Sequence, residues 1–258
     1  MRHLMNRSVL FLIGIICLGS LAFTSLAQAE TLVESSLFYR IYVGFSVDQK
    51  TAQAWLPAPW KAVSLPNGPF KGANLLVVFD DYFIRQDNEG KPIKGGTYCL
   101  AVLVALGKNE QTGEFAPFVI RAYFPFDDPG AYKNGVEAMV FRGATLQGAH
   151  MGGKVSEVWK VQDSAGGIME FLMDYQRDVP TRTKREFKVR SSVEPDFFRI
   201  YRDEYAHDVV KSIPTGIDRV KNYKFRVTIS ELSKIFNGSE QLVGISVSPI
   251  WVRQQILP

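Results

Sequence analysis

Apolar runs recur along this chain, and in the first of them after residue 29 apolar and polar positions alternate with a period of two, the spacing of a half-buried β-strand. The first such segment, FYRIYVGFSV (38–47), is rich in aromatic and β-branched residues. NLLVVFDDYFI (74–84), TYCLAVLVAL (97–106) and PFVIRAYFPF (117–126) predict three more strands. KNEQTGEF (108–115) supplies the turn between the last two, with Gly113 free to take a positive φ. From residue 154 the pattern resumes in KVSEVWKV, GIMEFLMDYQ, EFKVRSSV, YKFRVTISEL and QLVGISVSPIWV, while PDFFRIYRDEYAHDVV (195–210) fits a strand or a helix. Two stretches predict short helices. DQKTAQAWL (48–56) starts on Asp48 as N-cap, gathers Ala52, Trp55 and Leu56 on one face, and stops at the prolines of LPAPW (56–60). DPGAYKNGVEAMV (128–140) opens on Asp128 with Pro129 at the first helical position. Roughly nine strands with two short helices predict a mainly β (α+β) domain, an antiparallel barrel whose closure removes edges and creates an interior. Trp55, Leu76, Val78 and Val104 are expected in its core.

The first 29 residues depart from this pattern. Arg2 and Arg7 flank the start, VLFLIGIICLGSLAF is an apolar run, and AQA (27–29) offers small residues for cleavage after Ala29. That is the layout of a secretory signal peptide, which a permanent membrane anchor would share because the apolar core is near the length limit, and cleavage predicts a periplasmic or secreted protein. Residues 30–258 contain no repeat, low-complexity tract or linker, so one domain is expected there. Cys99 is the cysteine left after cleavage, and the fold must therefore rest on its core without an internal disulfide. The formal charge of +4 shrinks once Arg2 and Arg7 are removed. No basic tract lies among aromatics, which argues against nucleic acid as a partner. His150, His207 and Cys99 do not have metal-ligand spacing, and no nucleophile elbow or phosphate-binding glycine loop is present.

Taken in order, an early strand, a short helix, LPAPW, TYCLAVLVAL and MGGKVSEVWKVQDSAGGIMEFLMDY resemble the acetoacetate decarboxylase family over most of residues 30–258. LPAPW is similar to the family's Leu/Val-Pro-x-Pro-Leu step. TYCLAVLVAL sits at its Tyr-x-Glu strand, and the segment around Lys154 at its Pro-Lys-Lys segment. The resemblance implies a cone-like barrel and a lysine that forms a Schiff base with a β-keto acid, the iminium drawing electrons as carbon dioxide leaves. Such a lysine must be neutral near pH 7, so burial or a neighbouring cation must bring its pKa well below ~10.4.

On this resemblance Lys154 is the catalytic residue, expected at the start of a strand with its amine turned inward. Arg40, Asn74, Tyr98 and His150 are the expected substrate-binding residues, His150 adding a titratable charge. The chain departs from the family at several of these places. Gly153 and Lys154 stand at the paired lysines, Leu100 at the glutamate after Tyr98, Asn74 at a second acid, and Phe38 at an early arginine with Arg40 close by. Two functions follow. One is an exported lyase acting on a small β-keto acid or related carbonyl compound. The other is a non-catalytic barrel that binds a small ligand and has lost decarboxylase activity. Either implies a small carbonyl or carboxylate ligand, no cofactor or metal, no stable membrane span after processing, and room for a homo-oligomer.

Overall fold

The first alternating segment becomes β1 (Thr31–Ser46), and this strand packs on both of its faces. Tyr39, Ile41, Val43 and Phe45 point to one side, and Phe38, Arg40 and Tyr42 to the other. The computed structural model describes residues 30–93, 95–148 and 152–258. The proposed leader and His150 lie outside them. After β1 comes a single helical turn, α1 (Gln49–Gln53), started by Asp48, which accepts from the Thr51 amide at 2.9 Å. The next strands are β2 (Trp60–Ala62), β3 (Leu75–Gln86), β4 (Tyr98–Asn109), β5 (Phe115–Phe124), β6 (Gly135–Gln147), β7 (Lys154–Asp163) and β8 (Ile168–Gln176). They are followed by β9 (Thr181–Ser191), β10 (Phe198–Ser212), the two-residue β11 (Ile217–Asp218), β12 (Val220–Val227) and β13 (Gln241–Leu257).

Three segments differ from the sequence expectation. Residues 128–140 do not form a helix: Gly130 and Lys133 take φ of 68° and 57°, which breaks any helical register. β6 begins instead at Gly135, where an added Cβ would lie 2.5 Å from the Phe124 ring. YKFRVTISEL is a strand only to Val227, and Ser230–Leu232 close into a 3-10 turn. The ambiguous segment 195–210 is mostly strand, because Phe198–Ser212 pairs with β9 on one side and β13 on the other.

The strands pair in the order β12-β8-β7-β6-β5-β9-β10-β13-β1-β3-β4-β2, and β4 also pairs with β5. The path β5-β9-β10-β13-β1-β3-β4 thus returns on itself. The seam between β5 and β9 is only Phe118↔Arg190 and Val119↔Ser191, so the ring is drawn together without a long ladder there. That seam and β5–β6 are parallel, and the other pairings given are antiparallel. The expected barrel is therefore a mixed sheet, mainly antiparallel, with slight closure at one seam.

β6, β7, β8 and β12 continue from β5 and cover the outside of the β1–β3–β4 wall. Between the two layers lies the main hydrophobic core. Phe79 of β3 stacks on Phe171 of β8 with centroids 5.5 Å apart and meets Trp159 of β7 at 5.3 Å. All three are fully buried, and truncating one to alanine costs about 3–5 kcal/mol in such a setting. One polar group is enclosed in this layer. Glu157 accepts from the Tyr39 hydroxyl at 2.7 Å and from Arg142 at 3.1 and 3.2 Å, so its burial is compensated. The opposite face of β1, β3 and β4 looks into the ring. Leu76 and Val104, expected in the core, line the space there, and Trp55 packs at the rim of the main core.

Candidate functional site

Inside the ring is a cavity of about 1240 Å³. Its wall is set by the pleat: on β1, β3 and β4 the residues two apart from Arg40, Asp80 and Leu100 turn inward, and their neighbours enter the core. Register then brings specific side chains level with one another. Arg40 lies opposite Asp80 across β1 and β3, and Asp80 lies opposite Leu100 across β3 and β4.

Arg40 Nε and Nη2 donate to the two Asp80 oxygens, each at 2.5 Å, and Nη1 donates to the Tyr42 hydroxyl at 2.9 Å. Burial by itself would lower the arginine pKa, but the Asp80 carboxylate outweighs it and the net direction is upward. A second buried pair stands beside it: Arg253 donates to Asp203 at 2.8 and 2.9 Å. Burial pushes the Asp203 carboxyl up, and Arg253, with help from Arg40 and Arg185, brings it net below the usual range. A third pair, Arg85 with Glu34, closes the same end and includes the Tyr98 hydroxyl, which accepts from Arg85. Burial raises the Tyr98 phenol to about 12 against the pull of Arg85.

Trp251 is the centre of this cluster. Tyr205 stacks on it at 3.9 Å, and the guanidinium carbons of Arg40, Arg185 and Arg253 lie 4.6, 5.2 and 5.7 Å from its ring. In this cluster Asp80, Asp203 and Glu34 meet Arg40, Arg253, Arg85 and Arg185, while Glu114, Asp128, Lys188 and Arg199 line the cavity elsewhere. Arg185, which is exposed, reaches the Tyr42 hydroxyl at 3.3 Å and Asp203 at 3.8 Å, and Arg253 already holds Asp203 bidentately. Several polar atoms on cavity-lining residues have no partner: Trp251 Nε1, Ser248 Oγ, His207 Nδ1 and Arg199 Nε. Buried polar atoms of this kind are ordinarily paired, and these four have almost no accessible surface of their own. His207 is held below its usual pKa by burial and then by Arg185, and it is neutral near pH 7.

Known structures place this architecture. The enduracididine biosynthesis enzyme MppR complexed with pyruvate superposes with a TM-score of 0.56 at 11% identity, over 90% of this chain and 91% of that one. An acetoacetate decarboxylase-like enzyme from Sphingomonas wittichii RW1 gives 0.54 at 11% identity, over 87% and 91%. Acetoacetate decarboxylase from Legionella pneumophila gives 0.50 at 10%, over 88% of each chain. The fold is that of the acetoacetate decarboxylase-like enzymes. By sequence, no family profile and no curated protein matches the chain.

Within this acetoacetate decarboxylase-like fold the expected site residues separate. Arg40 and Tyr98 line the cavity. Asn74 does not: it is buried with its amide spent on Val47, accepting from the backbone N–H and donating to the C=O, both at 2.9 Å. His150 lies outside the described residues. Lys154 opens β7 as expected, but it is exposed and is not among the cavity-lining residues, so the expected inward amine is corrected. The reason is parity. Val155, Glu157, Trp159 and Val161 are the buried positions of β7, and Lys154 shares the outward parity of Ser156. Among the described residues the lysine on the cavity wall is Lys188, itself exposed, with its amine 4.9 Å from the Phe198 ring.

Sequence reasoning missed Asp80, Arg253, Asp203, Arg185 and Trp251. One signal was present: Trp251 and Arg253 are two apart, as are Tyr201, Asp203 and Tyr205, which is unusual chemistry for one face of a strand. It shows that charge accompanies aromatics on one face, but not which charges meet.

Proposed function

We propose that the protein binds a small organic anion, bearing a carboxylate or a polarised carbonyl, in the ring cavity through Arg185 beside Trp251. The observation that carries this reading is the Arg185 guanidinium on the cavity wall, whose nearest carboxylate, Asp203, is already held by Arg253. A carboxylate supplies what is missing: two acceptor oxygens and one negative charge. The fold supports a relationship to enzymes of this class, one of which is named as a pyruvate complex. The Schiff-base lyase reading finds less support, because Lys154 stands in solvent on the outer layer. Ligand capture is the better account of this cavity.

The test pairs two measurements. Calorimetric titration with pyruvate, acetoacetate and longer carboxylates should show binding that Arg185→Gln weakens by about ten- to hundredfold. Borohydride trapping with the same compounds should leave Lys154 unmodified. A carbonyl adduct on Lys154, lost in Lys154→Ala, would restore the lyase. We further propose export with cleavage after Ala29, which mass spectrometry of the mature N-terminus tests by looking for Glu30.

A further inference from the structure

The cavity is far roomier than a three- or four-carbon acid needs, and its wall changes character along its length. On β3 the inward side chains run Leu76, Val78, Asp80, Tyr82. The change from apolar to charged falls between Val78 and Asp80, and β1 repeats it at the same register, where Tyr42 pairs with Val78 and Arg40 with Asp80. β13 does not repeat it: Ser246 and Ser248 keep hydroxyls on the wall before Trp251 and Arg253. β4 starts with Tyr98 at the charged end and is apolar from there, through Leu100, Val102, Val104 and Leu106. At the apolar end Leu76 faces Val104 across the ladder, and Leu65, Phe70 and Pro117 close around them. From Leu76 to Tyr82 the strand covers roughly 20 Å, at about 3.3 Å per residue.

From this polarity we infer that the cavity takes an amphiphilic carboxylate, its head at Arg185 and Trp251 and an elongated apolar tail running toward Leu76, Val104 and Leu106. This deepens the reading proposed above and rests on it. The head needs an uncommitted cation, and Arg40 is not one, since Asp80 holds it bidentately. Arg185 is less committed: it reaches the Tyr42 hydroxyl at 3.3 Å and Asp203 at 3.8 Å, and Asp203 is already held by Arg253. Tyr42 lies level with Val78 and Val102, so polar and apolar groups face each other there, and the hydroxyls of Ser246 and Ser248 lie on the β13 wall. A short keto acid would satisfy the head and leave the apolar end wet. A longer chain displaces that water, and burial of apolar surface supplies affinity in proportion to its length.

The experiment is a homologous series of butanoate, octanoate, dodecanoate and hexadecanoate, read by calorimetry and by the part of the tryptophan fluorescence that Trp251→Phe removes, on residues 30–258. Affinity should rise by about fourfold per added methylene until the apolar end is full. Dodecanol should bind more weakly than dodecanoate, and Arg185→Gln should remove that difference while leaving dodecanol unchanged. Val104→Phe should weaken dodecanoate by about tenfold and leave butanoate unaffected. If that variant does not fold, Val78→Met narrows the same end. Pyruvate and butanoate binding with no gain along the series overturns the amphiphile and leaves the small-anion reading standing. No binding by any carboxylate overturns both.

Discussion

Replacing Asp80 with leucine tests the energetics of the cavity wall most directly. The Asp80 and Arg40 side chains are 1% and 6% exposed, and they share two hydrogen bonds at 2.5 Å. Without the carboxylate, Arg40 keeps a single oxygen acceptor, Tyr42. It also keeps the faces of Phe38, Tyr42 and Trp251 at 4.7, 5.2 and 4.6 Å. Asp203, the nearest other buried carboxylate, already receives Arg253 at 2.8 and 2.9 Å. Ring faces return about 0.5–2 kcal/mol, less than an uncompensated buried charge costs, so the expected loss is about 3–5 kcal/mol. In a chain of this size that lowers Tm by roughly 6–20 °C, at about 2–4 °C per kcal/mol. The double variant Arg40→Met/Asp80→Leu removes both charges, and its stability should return to within about 1–2 kcal/mol of the parent. Urea unfolding followed by far-UV circular dichroism measures both, with a constant m-value confirming that the same transition is compared. A loss below about 1 kcal/mol for Asp80→Leu, or a double variant no better than the single one, would refute the reasoning. The first result means that Arg40 swings into the cavity and is hydrated there, and the second that lost packing, not the stranded charge, sets the cost.

Three further outcomes are expected. Lys154→Ala, at an exposed strand position, should change stability by no more than about 0.5 kcal/mol and leave carboxylate titrations unaltered; a clear loss of binding would place this amine in the site after all. Acid should weaken the fold in two stages. His207 and Asp203 both have folded pKa values below their usual ones, so each favours the folded state above its unfolded pKa and loses that contribution as pH falls through the folded one. The windows therefore open below about 6.5 for His207 and below about 3.9 for Asp203. Thermal melts of His207→Gln should lack the upper stage, and an unchanged profile rejects the assignment. Cys99, whose thiol is raised to about 12 by burial and then by Asp81, should react with iodoacetamide at pH 8 far more slowly than a free thiol of ordinary pKa. Rapid labelling of the folded protein would contradict that environment.

The alternation of the sequence determined most of the strands, because a half-buried strand must place its apolar residues two apart whatever it packs against. It even contained the correction to Lys154. Within KVSEVWKV the residues that must be buried are Val155, Trp159 and Val161, and Lys154 has the opposite parity. The resemblance pointed inward, and local parity prevailed, since exposing Trp159 forfeits far more apolar burial than an inward lysine could return. Where glycines interrupt the period, as at Gly130 and Gly135, the helix start signal of Asp128 and Pro129 misled, because left-handed backbone at Gly130 and Lys133 is incompatible with a helix. What alternation cannot say is which face of a doubly buried strand meets a core and which meets a cavity. FYRIYVGF offers Tyr39 and Ile41 on one side and Arg40 and Tyr42 on the other, and both sides are enclosed. The pairings of Arg40 with Asp80 and Arg253 with Asp203 depend on the registers of β1 with β3 and of β10 with β13. Those registers join residues 40 and 50 positions apart in the chain. Only the tertiary structure decided them, because a charge is tolerated in the interior when its partner arrives from another strand, and no local pattern records that arrival.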